Sequence, residues 1–176
     1  MTNVSQINGL KICKNAITAE NQKTYMDILE TYKWRDDLKR QTQHYGRRYN
    51  YVTRTLINDC LETPYLISEI AKLLTPYMNI IPNQCIVNKY IKGERITPHI
   101  DAPCFGPIII TISLGSAMTM RFTNGSQIYD LILDGGDMII LSEDARYKWK
   151  HELLADNNEN FKRISLTYRT FDENKY

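Results

Sequence analysis

The chain of 176 residues has only three histidines, four cysteines and no apolar run approaching the ~20 residues of a membrane span. Each scarcity narrows the reading. Cys13, Cys60, Cys85 and Cys104 are scattered without CxxC spacing, which fits reduced thiols in an intracellular protein. The opening Met-Thr-Asn-Val-Ser-Gln lacks the basic and apolar regions of a leader, so a soluble, unsecreted protein without a membrane partner is expected, cytoplasmic or nuclear. There is no internal repeat and no low-complexity segment. Neither sign of charge dominates, with 22 Lys and Arg against 20 Asp and Glu. With 43% hydrophobic residues at this length, one globular domain over 1–176 with ample core is expected, a monomer by default.

What is present centres on His99-Ile100-Asp101. Successive strand side chains point to opposite faces, so on a strand His99 and Asp101 leave one face while Ile100 turns to the other. A second imidazole from a distant strand would complete a 2-His-1-carboxylate triad, the arrangement that leaves one face of a metal open and usually holds ferrous iron for oxygen chemistry. Of the two remaining histidines, His151 follows the apolar strand Asp137-Met138-Ile139-Ile140-Leu141 and is read as the third ligand. His-X-Asp is common by chance, and a solvated histidine beside a turn carboxylate is the plain alternative.

The stretch from Phe161 to Thr170 strengthens the metal reading. Its alternation puts Arg163, Ser165, Thr167 and Arg169 on one face and Ile164, Leu166 and Tyr168 on the other. Facing water, this would be an ordinary amphipathic edge strand. Facing inward, its two guanidiniums suit a small dicarboxylate, each planar fork gripping one carboxylate. A dicarboxylate that also chelates iron is 2-oxoglutarate.

Taken in order, Asn88-X-Tyr90, His99-X-Asp101, His151 and Arg163-X5-Arg169 resemble the AlkB-type branch of the Fe(II)/2-oxoglutarate dioxygenases. The match covers roughly residues 83–171, with a weaker match from Gln41 to Tyr51. The resemblance implies iron on His99, Asp101 and His151, the distal carboxylate of 2-oxoglutarate on Arg163, and supporting contacts from Arg169, Asn88 and Tyr90. Ser165 stands where many members carry Asn. It also implies a mainly β, α+β architecture, a double-stranded β-helix or jelly roll over 83–171, with 1–82 supplying helical support and a substrate lid. Turn signals at Gly93, Pro98, Gly106-Pro107, Gly115, Asn124-Gly125 and Gly135-Gly136 agree with short strands at regular spacing.

Two helices are expected outside the barrel, at about 19–33 after the capping Thr18 and around Pro64–Tyr77, with Leu66, Ile67, Ile70, Leu73 and Leu74 as the second apolar stripe. Between them, Lys33 to Arg54 holds seven basic residues against Asp36 and Asp37, a local charge of +5, interleaved with Trp34, His44, Tyr45, Tyr49 and Tyr51. This composition suits phosphates and stacked bases, or simply a solvated hairpin. Gln41 to Gly46 resembles the family's nucleotide-recognition lid. Tyr45, Arg47, Arg48, Tyr49 and Tyr51 are thus candidate substrate residues, and Arg146 matches a family arginine that lines the pocket.

The reaction implied is oxidative demethylation of alkylated bases in DNA or RNA, with O2 as cosubstrate and succinate, CO2 and formaldehyde released. The base would be single-stranded or flipped from a duplex. Asp101-Ala102-Pro103 lacks the further acidic residue that repair members carry after HxD. Hydroxylation of a modified wobble uridine in tRNA and oxygenation of a protein side chain are the alternatives within this chemistry. A non-catalytic metal-binding jelly roll is the alternative outside it; such a module would be expected to lose one of His99, Asp101, His151, Arg163 or Arg169, and all five are present.

Overall fold

In the computed structural model the chain starts with strands β1 (Thr2–Asn3) and β2 (Leu10–Cys13) and helix α1 (Ala19–Glu30), then β3 (Gln41–Tyr45), β4 (Arg48–Asn50) and β5 (Thr55–Ile57). Helix α2 (Tyr65–Met78), β6 (Gln84–Ile91), β7 (Ile96–His99), β8 (Ile109–Gly115), β9 (Met118–Asn124), β10 (Gln127–Leu133) and β11 (Met138–Leu141) follow. The short helix α3 (Glu143–Tyr147), β12 (Lys150–Leu153) and β13 (Lys162–Arg169) complete it. The structure describes residues 1–4, 6–36, 38–50, 52–53 and 55–172, so Asp37, Tyr51 and Arg54 of the basic segment lie outside it.

From β6 to β13 the strands alternate between two antiparallel sheets, except that β9 and β10 form a hairpin within one of them. The larger has the order β1-β2-β11-β8-β13-β6-β3, the smaller β10-β9-β12-β7. Eight strands shared in this way are a double-stranded β-helix, and β1, β2 and β3 extend its larger sheet at either edge. The large sheet is buried on both faces, which explains why a run such as Ile109-Ile110-Thr111-Ile112-Ser113-Leu114 is nearly continuous rather than alternating. Ile110, Ile112, Leu114, Ile164, Leu166 and Tyr168 pack under the helices with Leu29, Ile67, Ile70 and Leu74. The opposite side chains face the small sheet, forming a second core around Met118, Met120, Phe122, Ile139 and Leu141.

Thr18 caps α1 by accepting from the Asn21 amide at 3.3 Å. The helix stops at Glu30, short of the predicted residue 33. Thr31 Oγ1 turns back onto the Ile28 carbonyl at 2.7 Å and the Tyr32 amide bonds Leu29, closing the end. Its last residue is an anchor, since Glu30 pairs with Lys89 of β6 and Lys162 of β13. In α2 the buried stripe is Ile67, Ile70, Ala71, Leu74 and Met78; Leu66 is partly buried, and Leu73, assigned to the stripe from sequence, is exposed. The hairpin between β9 and β10 turns through Gly125 and Ser126, one residue later than expected, with Asn124 still paired to Gln127. Gly125 supplies the positive φ of +58°.

Candidate metal and substrate site

His99 is the last residue of β7 and stands directly opposite His151 of β12 in the antiparallel ladder. Their rings lie 4.4 Å apart between centroids. Asp101 lies two residues past the end of β7, in the loop 100–106, rather than on the strand; the expected same-face pair therefore straddles a strand end. Its Oδ2 is nevertheless 3.4 Å from His151 Nε2. One ligand atom from each of the three side chains falls within 4.8 Å of the others, the one such trio among the described residues.

The protonation states fit a metal. His99 Nδ1 sits 2.8 Å from the Thr97 carbonyl, which only accepts, so the proton is on Nδ1 and Nε2 is left for a metal. Burial pushes His151 down to about 4, against the opposing pull of Asp101, so its ring is neutral at physiological pH. Burial alone would raise the Asp101 carboxyl, but Arg169, then His151, His99 and Arg146, hold it below the ordinary carboxylate value. Two imidazoles and a carboxylate, with the buried His151 Nδ1 lacking any hydrogen-bond partner, are a donor set suited to a divalent first-row ion.

An inner cavity runs from this trio between the two sheets. Asn88 and Tyr90 of β6 and Arg163, Ser165, Thr167 and Arg169 of β13 line it, so the polar face predicted for β13 does look inward. Ser165 is level with Asn88 on one side and Ser113 on the other. Arg163 is fully buried and donates from Nη2 to Ser113 Oγ at 2.9 Å, while Nε and Nη1 have no hydrogen-bond partner. Burial lowers its pKa to about 10, which leaves it charged at neutral pH. A buried guanidinium with two idle donors is suited to a carboxylate. Arg169 differs from the expectation of one arginine per carboxylate. Its Nη1 donates to Asp101 Oδ1 at 2.8 Å and its Nε to Gln84 Oε1 at 2.7 Å, so most of its fork braces the metal ligand.

An outer cleft of about 590 Å³ opens over the metal trio, lined by Leu38, Arg40, Tyr49, Ile100, Cys104 and Phe105 among others. Cleft and inner cavity share Arg40, Ile96, His99, Asp101 and Arg169. Phe105 lies over the Arg169 guanidinium, 3.8 Å from Cζ to ring centroid, and under Tyr49, whose ring is 5.9 Å away and tilted by 55°. Cys104 is a partly exposed cleft residue whose thiol is raised by burial.

Several substrate candidates are not where the sequence suggested. Gln41 to Tyr45 forms the edge strand β3 of the large sheet, not a lid, and pairs with β6 throughout. Tyr45 points into the helix-side core, its hydroxyl donating to Gln43 Oε1 at 2.9 Å. Arg48 is paired with Asp59 at 3.0 Å, a carboxylate it shares with Arg35, so part of the +5 charge is spent within the hairpin. Arg47 does not line the cleft; its carbonyl accepts from Gln84. Tyr49 does line it. Arg146 is buried on α3 and donates to the carbonyls of Asp101, Ala102, Phe105 and Gly106, at 2.9 to 3.2 Å. It sets the loop that carries Asp101 rather than lining the pocket.

Sequence reading passed over Arg40, Ser113, Gln84 and Phe105. Gln84 and Ser113 were accessible from period-two spacing, being in step with Asn88 on β6 and with Thr111 on β8. Phe105, in an irregular loop, had no such signal.

Residues 9–169 match the family model described as the 2OG-Fe(II) oxygenase superfamily. The uncharacterised protein L905 of Acanthamoeba polyphaga mimivirus is 26% identical, covering 99% of this chain and 90% of that protein. The Xenopus tropicalis tRNA (carboxymethyluridine(34)-5-O)-methyltransferase alkbh8 is 28% identical over 81% of this chain, and the Arabidopsis thaliana RNA demethylase ALKBH9B 26% over 98%. The matches span 24% and 41% of those two proteins' lengths. Among solved structures, OsALKBH1 superposes with a TM-score of 0.72 at 18% identity, covering 92% of this chain and 96% of the other.

Proposed function

The chain belongs to the 2OG-Fe(II) oxygenase superfamily, and on that premise we propose that it oxidises a carbon substituent on a nucleic-acid base held in the outer cleft. The observation that carries this is the junction of the two chambers. The inner one reaches His99 and Asp101 and carries the polar side chains of Asn88, Tyr90, Arg163 and Ser165, and the outer one, walled by Tyr49 and Phe105, opens on the same two ligands. Iron with 2-oxoglutarate supplies, when bound, the activation of O2 that oxidises a C–H bond, with 2-oxoglutarate leaving as succinate and CO2.

The chain's own residues do the rest. His99, Asp101 and His151 hold the metal, and Arg163 with Asn88, Tyr90 and Ser165 holds the dicarboxylate at the far end of the inner cavity. Arg169 keeps Asp101 ionised and aimed, and Arg146 fixes the loop on which it rides. Tyr49 offers a ring face for an extruded base. No protein nucleophile is required.

Oxidation of an N-methyl group, releasing formaldehyde, is the leading reaction, in keeping with the name of the RNA demethylase ALKBH9B. Hydroxylation of a substituted uridine in tRNA is the second reading. The apolar loop Ala102-Pro103 favours it, since it offers no carboxylate next to the ligand to read a methylated base, and alkbh8 is a relative named for that nucleoside. Residues 1–176 are proposed to act as one catalytic unit, whatever further chain a longer protein carries.

The test is succinate formation from 2-oxoglutarate with Fe(II) and ascorbate, with and without methylated single-stranded DNA and RNA, against a His151→Ala control. Stimulated turnover with formaldehyde release supports demethylation. Stimulation by a uridine-modified anticodon loop without formaldehyde supports the second reading. No stimulation by any nucleic acid overturns both.

A further inference from the structure

Arg40 is unaccounted for by metal, cosubstrate or fold. It is about nine-tenths buried, just before β3, and lines both chambers at their junction. Its Nε donates to Asn88 Oδ1 at 2.8 Å and its guanidinium lies 5.8 Å from the Tyr90 ring, whose other close cation is Arg163 at 5.6 Å. Among the described residues its two terminal nitrogens have no acceptor and it has no acidic partner.

Four buried arginines cluster here: Arg40, Arg163 and Arg169 line the chambers, Arg146 holds the adjoining loop, and Arg169 and Arg146 are the two that act on the Asp101 carboxylate. Three of them have an assignment. Arg169 is paired with Asp101, Arg146 is satisfied by four carbonyls, and Arg163 with its idle donors ends the inner cavity. A divalent metal and a dicarboxylate, entering together, add no net charge. Arg40 then still has no anionic partner among the described residues, and its terminal donors border the cleft through which a ligand would enter.

We propose that Arg40 grips an oxyanion of the substrate itself, making the site selective for a base that presents a carboxylate or phosphate at the junction of the two chambers. This deepens the nucleic-acid reading above and rests on it. The planar fork, held by Asn88 through Nε, is left with the paired terminal donors that match a carboxylate on a base substituent or a backbone phosphate.

The experiment is binding without turnover. Fluorescence anisotropy would use Mn(II)-loaded protein with 2-oxoglutarate and no oxygen, and the probe is a tRNA anticodon stem-loop with 5-carboxymethyluridine. Two partner probes each remove one charge: one carries the neutral carbamoylmethyluridine, the other methylphosphonate at the phosphates flanking that nucleoside. Arg40→Gln and Arg40→Lys are compared with the wild type, and thermal melts establish that both fold. The expected result is that one charge removal weakens wild-type binding about tenfold or more, the range for a charge-assisted hydrogen bond. Arg40→Gln should bind the charged and neutral probes alike, and Arg40→Lys should recover only part of the discrimination. Loss with carbamoylmethyluridine names the base carboxylate, and loss with methylphosphonate the phosphate. Equal losses in wild type and Arg40→Gln, or none in either, overturn the assignment. So does an Arg40→Gln variant that loses 2-oxoglutarate affinity while binding every probe as the wild type does, since Arg40 would then serve the cosubstrate. A wild-type protein that binds no stem-loop overturns the nucleic-acid reading, and this inference with it.

Discussion

Arg169 donates from Nη1 to Oδ1 of Asp101 at 2.8 Å, so the carboxylate ligand of the metal trio is held by the last residue of the last strand. The same guanidinium lies against Phe105 and bonds Gln84 at the start of β6. Replacing Arg169 with Met is expected to weaken Mn(II) or Fe(II) affinity by roughly ten- to a hundredfold, the usual cost of losing a partner of a metal ligand. Metal titration monitored by calorimetry checks this, and unchanged affinity would remove Arg169 from the metal's support.

Arg163 presents a sharper dissociation between stability and function. In the absence of 2-oxoglutarate its buried charge is only partly satisfied, so Arg163→Met is expected to melt at the same temperature as the wild type or higher. The same variant should lose the stabilisation that added 2-oxoglutarate gives the metal-loaded wild type. Thermal melts with and without the dicarboxylate read both effects.

Arg146 should behave in the opposite way. Arg146→Ala strips the donor from four loop carbonyls, and a loss of about 3 kcal/mol or more is expected, since each buried carbonyl left unsatisfied costs roughly 1–3 kcal/mol. Urea unfolding measures it. A loss under about 1 kcal/mol, the level of an ordinary hydrogen bond, would mean that the loop is held by something else.

The two tyrosines separate cleft from core. Tyr49→Ala should raise KM for a nucleic-acid substrate severalfold with little effect on stability. Tyr45→Phe should cost about 1 kcal/mol of stability through the lost bond to Gln43 and leave KM unchanged. A KM effect at Tyr45 would restore the lid reading of β3.

Acid should destabilise the metal-free protein in a defined window. His151 has its folded pKa lowered to about 4 from an ordinary 6.5, so the unfolded chain takes up the proton first as pH falls. Its contribution is therefore complete above about pH 6.5 and is lost as pH drops towards 4, amounting to about 3 kcal/mol. Asp101, also lowered, adds loss of the same sign at lower pH. Unfolding of EDTA-treated protein from pH 7.5 to 4 should show the decline, and His151→Gln should flatten its upper part.

What the sequence made legible follows from periodicity. With three histidines available, spacing at i and i+2 singled out His99 and Asp101, although Asp101 sits past the strand end, and alternation exposed the polar face of β13, a pattern that survives folding because strand geometry enforces it. Strand β3 was misread for a related reason. It is buried on both faces but built from Gln, Thr and His, so its hydrophobic signal vanished beneath the charges flanking it. Arg146 and Arg40 act through partners forty or more positions away in sequence, which no local pattern encodes. The role of Phe105 depends on stacking between Arg169 and Tyr49, a meeting of three separate segments.

The pairing of His99 with His151 bears on how the molecule holds together as well as on what it does. β7 is the outermost strand of the small sheet, joined to β12 through a ladder that slips its register between His151 and Leu153. A metal bound to both histidines would rivet this loosely zipped border in place, so that an empty centre leaves the strand free to peel away while the rest of the barrel stays closed. Slow amide exchange at Ile96, Thr97 and His99 would then be a property of the loaded protein alone, and a protease would find its first cut at the very edge where the chemistry is done.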